Sequence, residues 1–285
     1  KDAKTKLPTY ISSKDNGLTW KTIAYKGHTE HWAAGRSPIS GEFVRLVSQK
    51  DSVYCARSKG GFDGKWTFAK IWPESFIMLK PPIFIRGGKR ILVGCHGTKR
   101  IGCGTLYSDD DGLTWKLSGF TKAPHHKSGG LHHGRRWNHG AVEPTIVELK
   151  DGRVWMLIRT GAGVLWESFS ADGGRTWTEA QPTTIVNPGV RFFIGRLASG
   201  RILLINTPDP KRRQTMLAYV ADDEEGIASA ASGLLLDGRN SVSYPDAVQG
   251  PDGTIYAVHD YDRAGHGEIV LSVFEEADIP TVTPL

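Results

Sequence analysis

The chain has 285 residues, of which 39% are hydrophobic and 23% charged, with a formal net charge of +6 and ten histidines besides. No run approaches the ~18 consecutive apolar residues of a membrane-spanning helix. The start Lys1-Asp2-Ala3-Lys4 leads into no apolar stretch of a signal peptide, and Cys55, Cys95 and Cys103 allow at most one bridge rather than a disulfide framework. The modest basic excess suits an anionic partner, but no basic helix, finger spacing or aromatic RNA-binding signature is present, which sets nucleic acid aside.

In chain order, the pattern Ser-x-Asp-x-Gly-x-Thr-Trp occurs at Ser13–Trp20, Ser108–Trp115 and Ser170–Trp177. Two decayed copies complete the series, one between the first two boxes and one after the third. Ser58 to Trp66 keeps Ser, Gly and Trp, and Ala221-Asp222-Asp223 keeps only the acidic turn. Starts at 13, 58, 108, 170 and 221 are separated by 45, 50, 62 and 51 residues. A period near 50 built of short strands is the signature of β-sheets repeated around an axis, a β-propeller. A second repeat runs in step with the first. Glycine turns at Gly88, Gly152, Gly200 and Gly253 each precede a strand rich in β-formers, such as Arg153-Val154-Trp155-Met156-Leu157. Each reads as the inner hairpin of a blade, with Ser-x-Asp on the outer hairpin. The chemistry of the motif is structural: Asp accepts hydrogen bonds from its own turn, Gly permits positive φ, and Trp packs between sheets.

This motif resembles the Asp-box, or BNR, repeat of the sialidase-like superfamily, over nearly the whole chain. The resemblance implies an all-β, six-bladed propeller occupying residues 1–285 as one domain. Five box positions, a last hairpin at 252 to 260 and a final strand Glu268–Phe274 fill that count. With the first box at residue 13, the inner hairpin of the first blade has no residues to form it, so that blade is expected to be incomplete, as in an N-terminally truncated chain.

Hairpin symmetry predicts which residues meet at the open end of each blade, because residues equidistant from a turn face each other. About the turn at Asp151-Gly152, Glu143 should face Arg159. By the same construction Lys80 should lie near His96, Arg191 near Thr207, and Tyr244 near Asp260 and Tyr261. Charged groups gathered at the mouth of a ring make a binding site. Sialidases use a Tyr nucleophile, a Glu that takes its proton, an Asp acid/base and three Arg that clamp the sugar carboxylate. The resemblance carries these roles onto Tyr244 as nucleophile, Glu143 as its base, and Arg159 and Arg213 as clamps. Arg191, His96, His139 and Asp246 are expected among the substrate-binding groups. Arg213 has a competing neighbour in Arg212. The family places its first clamp Arg and its acid/base Asp ahead of the first box, where this chain has no matching residues. The residue types suit the task. Arg binds a carboxylate through a permanently charged fork, and a phenol of pKa ~10 needs a base within reach. No cofactor is expected.

Between the third and fourth box positions runs a histidine-rich stretch, Pro124 to His139, that leads directly into Glu143. It reads as a basic lid carrying Trp137 as a stacking surface; its five histidines have no recognisable metal-ligand spacing. These histidines keep a second chemistry open. Some sialidase-like propellers are lyases of uronate-containing polysaccharides, and His96, His139, Tyr244 and Arg159 would suit such a reaction. A propeller that only binds glycans is the third reading. An anionic glycan is the expected substrate, in a secreted, periplasmic or cell-surface location.

Overall fold

The computed structural model describes residues 9–24, 34–60, 64–99, 101–123 and 140–280. Two compact units are formed, Lys1–Trp32 and Ala33–Leu285. In the first, strands β1 (Thr9–Ser12) and β2 (Lys21–Ala24) pair antiparallel across the first box, Ser12 opposite Lys21.

The second unit is a succession of antiparallel sheets, each built from strands consecutive in the chain. The first holds β3 (Gly35–Arg36), β4 (Phe43–Gln49), β5 (Ser52–Ser58) and β6 (Thr67–Trp72). The second holds β7 (Phe76–Ile77), β8 (Ile83–Ile85), β9 (Arg90–Gly97), β10 (Cys103–Ser108) and β11 (Lys116–Leu117), with β7 and β8 both paired to β9. The third holds β12 (Val142–Glu148), β13 (Val154–Arg159), β14 (Val164–Ser170) and β15 (Gln181–Val186). The fourth holds β16 (Phe193–Arg196), β17 (Ile202–Asn206), β18 (Gln214–Ala221) and β19 (Leu234–Asn240). The fifth holds β20 (Val242–Gln249), β21 (Ile255–Tyr261) and β22 (Glu268–Phe274). Neighbouring sheets adjoin through their inner strands: β12 lies against β8 and β9 on one side and β16 on the other, and β16 against β20.

Strand β13 explains the packing. Its residues Val154 to Ile158 are all fully buried. Side chains alternate faces along a strand. Val154, Met156 and Ile158 therefore join Leu92 of the second sheet, while Trp155 and Leu157 join Ile202 and Leu204 of the fourth. A sheet sandwiched between two others needs an unbroken apolar strand, and β13 is one. The other cores repeat this, with Leu46 and Val53 against Ile91 and Val93, and Leu203 and Ile205 against Val242 and Ala257.

The glycine turns are alike. Gly88, Gly152, Gly200 and Gly253 all have φ between +84° and +91°, and each donates its N–H to the carbonyl three residues back. This is the region an L side chain avoids. In the box at Ser108, Asp110 accepts from the Thr114 N–H at 2.8 Å and from the Thr114 hydroxyl. Gly112 N–H donates to Ser108 Oγ at 2.8 Å, and Trp115 Nε1 donates to Gly112 O at 3.0 Å. The boxes at Ser13 and Ser170 repeat the Asp–Thr and Gly–Ser bonds. Hydrogen bonds from Thr19 hold the Asp15 carboxyl down at about 2. These carboxylates are committed to their own turns.

Three expectations change. The acidic turn at Ala221 is no decayed box but the start of a short helix, α1 (Glu224–Ala228), capped by Asp223, which accepts from Gly226 N–H at 2.8 Å. Lys80 is not opposite His96. Ile77 holds that position, because the inner strand breaks into β7 and β8 and Lys80 lies in the break. The three cysteines are buried and free, so the possible bridge is not made, and burial pushes the Cys55 thiol up to about 12. Among the described residues no helix is long and apolar enough to cross a membrane.

Candidate active site

Two strands carry the same irregularity. Between Val142 and Thr145, β12 holds one residue more than β13, and between Ser243 and Asp246, β20 holds one more than β21. Each extra residue makes a β-bulge, which re-aims a side chain out of the regular alternation. The re-aimed residues are Glu143, with φ 51°, and Tyr244, with φ 58°. Each is followed by a proline, Pro144 or Pro245, whose missing N–H suits a place where the ladder is interrupted. Left-handed backbone at a non-glycine residue costs about 1–2 kcal/mol, and such outliers persist where the surroundings over-determine them.

The bulge shifts the predicted facing by one. Val142, not Glu143, is opposite Arg159 in register, yet Glu143 turns back to ion-pair with Arg159 through Nη1. The pair is almost fully enclosed, with side chains 1% and 5% exposed. Arg159 Nε donates to Gly189 O at 2.7 Å, and the same Nη1 lies 3.4 Å from the Tyr244 hydroxyl. One guanidinium nitrogen therefore links carboxylate and phenol. The Glu143 N–H donates to His96 Nδ1 at 2.9 Å. With Nδ1 as acceptor, the proton of the neutral imidazole sits on Nε2.

Four guanidinia gather about the Tyr244 ring. Their carbons lie 3.9 Å (Arg263), 5.0 Å (Arg191), 5.8 Å (Arg159) and 5.8 Å (Arg213) from its centroid. Arg213 rather than Arg212 turns inward and reaches Ser243 Oγ at 3.5 Å, while Arg212 is exposed. Arg191 donates to Leu79 O at 3.0 Å. The neighbouring Lys80, its side chain only 10% exposed, donates to Pro245 O at 3.0 Å and pairs with Asp246 at 3.3 Å. The segment between β7 and β8 thus braces the Tyr244 bulge.

The charges shift one another. Burial raises the Glu143 carboxyl, but Arg159, as charge and as donor, outweighs it and holds that carboxyl below its ordinary value. Burial also raises the Tyr244 phenol, and Arg159 with the hydrogen bonds from Arg159 and Arg263 brings it below the usual tyrosine value. Burial pulls Lys80 down to about 8 despite Asp246.

The structure therefore brings together Tyr244, Glu143, Arg159, Arg191 and Arg213, with His96 behind Glu143 and Asp246 beside Lys80. His139, Trp137 and the rest of the histidine stretch lie outside the described residues. Arg263 was not anticipated. Its signal was at hand: the symmetry that brings Tyr244 to Asp260 and Tyr261 leaves Arg263 two residues further, in the turn between β21 and β22. A separate apolar cavity of about 590 Å³ lies among the inner strands, lined by Pro81, Ile146, Ile194, Leu203 and Ala247. It borders Lys80 and Pro144 but takes in neither Tyr244 nor the four guanidinia. Among the described residues no cluster of three or more His, Cys, Asp or Glu is placed to hold a metal.

Repeated antiparallel sheets joined by buried inter-sheet cores, with a cationic site at the bulged inner strands, define a propeller of the Asp-box class. Residues 63–257 match the BNR repeat-like domain, and the chain belongs to that family. It is 31% identical over 93 residues to the anhydrosialidase of Macrobdella decora, a match covering 33% of this chain and 10% of that protein. Its fold is similar to the intramolecular trans-sialidase of Ruminococcus gnavus (TM-score 0.63, 22% identity, 82% of this chain and 52% of that one). It is also similar to a Hadza microbial sialidase (TM-score 0.69, 16% identity, 95% and 59%). The chain spans a tenth of the curated relative and between half and three-fifths of these two structures. What it shares with the two structures is the all-β sialidase propeller fold.

Proposed function

We propose that this chain carries the site of a sialidase-type glycosidase that takes a terminal sialic acid, or a related anionic sugar, from a glycan. The observation that carries the reading is the Tyr244 hydroxyl, 3.4 Å from the guanidinium nitrogen that also holds Glu143, inside a ring of arginines. Arg159 and Arg213 bind the sugar carboxylate as charged forks. Tyr244 attacks the anomeric carbon, its proton passes to Glu143, and the glycosidic bond breaks with its electron pair going to the aglycone oxygen, which takes a proton from water. The hydroxide left then displaces Tyr244 from the sugar, and the phenolate recovers its proton from Glu143. A neutral phenol approaches an anionic sugar without the repulsion a carboxylate nucleophile meets, and tyrosine nucleophiles set sialidases apart among glycosidases. The substrate class places the enzyme among glycans outside the cell, so secretion, the periplasm or the cell surface is its proposed location, and the mechanism uses no cofactor.

The test is incubation of the full-length protein with an α-linked sialoside and chromatography of the products. Release of free sialic acid supports hydrolysis, and release of an anhydro sugar supports intramolecular transfer, the activity named for the Ruminococcus gnavus relative. Arg159→Ala should raise KM strongly. An unsaturated, ultraviolet-absorbing product from a uronate polysaccharide would replace the reading with a lyase. Glycan binding that survives Tyr244→Phe, with no turnover by the wild type, would replace it with a binding propeller.

A further inference from the structure

Arg263 is the guanidinium closest to Tyr244, its carbon 3.9 Å from the ring centroid against 5.0–5.8 Å for the other three. It is held from behind. Nε donates to Asp260 Oδ2 at 2.6 Å, Nη2 pairs with the same carboxylate and reaches Ser243 Oγ at 3.3 Å, and Ser243 in turn donates to Asp260. The turn that presents it is tied by Asp262, which accepts from the His266 N–H at 3.0 Å and the Gly265 N–H at 3.2 Å. A side chain fixed at both its head and its backbone is preorganised over one face of the ring.

The chemistry of the site calls for such a group. For Tyr244 to act as a nucleophile, its O–H bond must break, the proton must go to Glu143, and the electron pair must stay on oxygen. Glu143 is a weak acceptor, because its charge is already satisfied by Arg159. Arg159 is divided between that carboxylate and the phenol. Arg191 and Arg213 stand further from the ring, and Lys80 is paired with Asp246. Asp260 faces Arg263 from the strand side, so its charge is directed at the guanidinium. A cation over an aromatic face stabilises the ring electrostatically, and more so when the ring carries negative charge.

We propose that Arg263 is a positioning residue that clamps the Tyr244 ring against its bulge and stabilises the phenolate through which Tyr244 acts. This rests on the reading of Tyr244 as nucleophile, but it is tested without substrate. The phenolate absorbance of the full-length protein is titrated, and the same titration of Tyr244→Phe is subtracted to isolate this one tyrosine from the others. Arg263→Ala should move the Tyr244 midpoint upward by about one pH unit, leaving roughly tenfold less phenolate at any pH below it. Arg263→Lys, which keeps the charge without the planar fork, should recover part of the shift. Arg263→Gln stands in if the alanine variant does not fold. An unchanged midpoint in folded alanine or glutamine variants overturns the proposal. Failure of the wild type to release any sialic acid would instead overturn the glycosidase reading, which the titration does not touch.

Discussion

Replacing Arg159 by Met tests whether the ion pair at the centre of the site is held by enclosure. Its partners are 1% and 5% exposed, so water cannot take over from the missing guanidinium. Removing one member of such a pair costs about 3–5 kcal/mol, because the remaining charge is left buried. At about 2–4 °C per kcal/mol for a domain of this size, Arg159→Met should melt roughly 6–20 °C below wild type by circular dichroism. The deficit should depend on pH. In the wild type the Glu143 carboxyl lies below its unfolded value, so its contribution is present above the unfolded pKa and is lost as pH falls through the folded one. In Arg159→Met the largest opposition to burial is gone, Arg191 remaining as a weaker one, and the carboxyl moves up, so the variant loses least in acid and most near neutrality. The double variant Glu143→Leu/Arg159→Met removes both charges and should return to within about 1 kcal/mol of wild type. A single variant less than about 1 kcal/mol below wild type at neutral pH, or a double variant no better than the single, would refute the argument.

Lys80 gives a second pH dependence of the same sign, at higher pH. Burial lowers it from 10.5 to about 8, so between those values the unfolded chain binds more protons and stability should rise with pH by about 1–3 kcal/mol. Lys80→Met should flatten that rise in urea titrations at several pH values. Gly102→Ala places a methyl 2.2 Å from the Thr121 carbonyl oxygen at φ +109°, and should lower stability by at least about 2 kcal/mol, read from the denaturant midpoint. Asp110→Ala strips the box turn of its Thr114 bonds and should cost about 1–2 kcal/mol in the same assay while leaving the KM for a sialoside unchanged, since the turn is architectural. Tyr244→Phe should abolish turnover by at least ~100-fold, measured by product release, and leave the fold intact by circular dichroism.

Much of this protein is written locally. The boxes at Ser13, Ser108 and Ser170 close on their own side chains, and the turns at Gly88, Gly152, Gly200 and Gly253 close on a bond three residues long, so spacing alone was enough to find them. The pairing of Glu143 with Arg159 was also legible, because a hairpin folds about its own turn and brings partners 16 residues apart together. Distant placement was not. The same symmetry set Lys80 against His96, where the break between β7 and β8 puts Ile77, and the box spacing read Ala221-Asp222-Asp223 as a decayed box where a capped helix begins. The bulges that turn Glu143 and Tyr244 out of their strands leave no mark in an alternation pattern, since a single extra residue is visible only against the strand it fails to match. Arg263 reaches Tyr244 from the far end of the last hairpin, and Lys80 reaches Pro245 across 165 positions. Side chains that meet only when separate sheets pack together obey no periodicity in the chain. Of the four guanidinia around the phenol, Arg159, Arg191 and Arg213 were expected from the sequence, and the tertiary structure alone added Arg263.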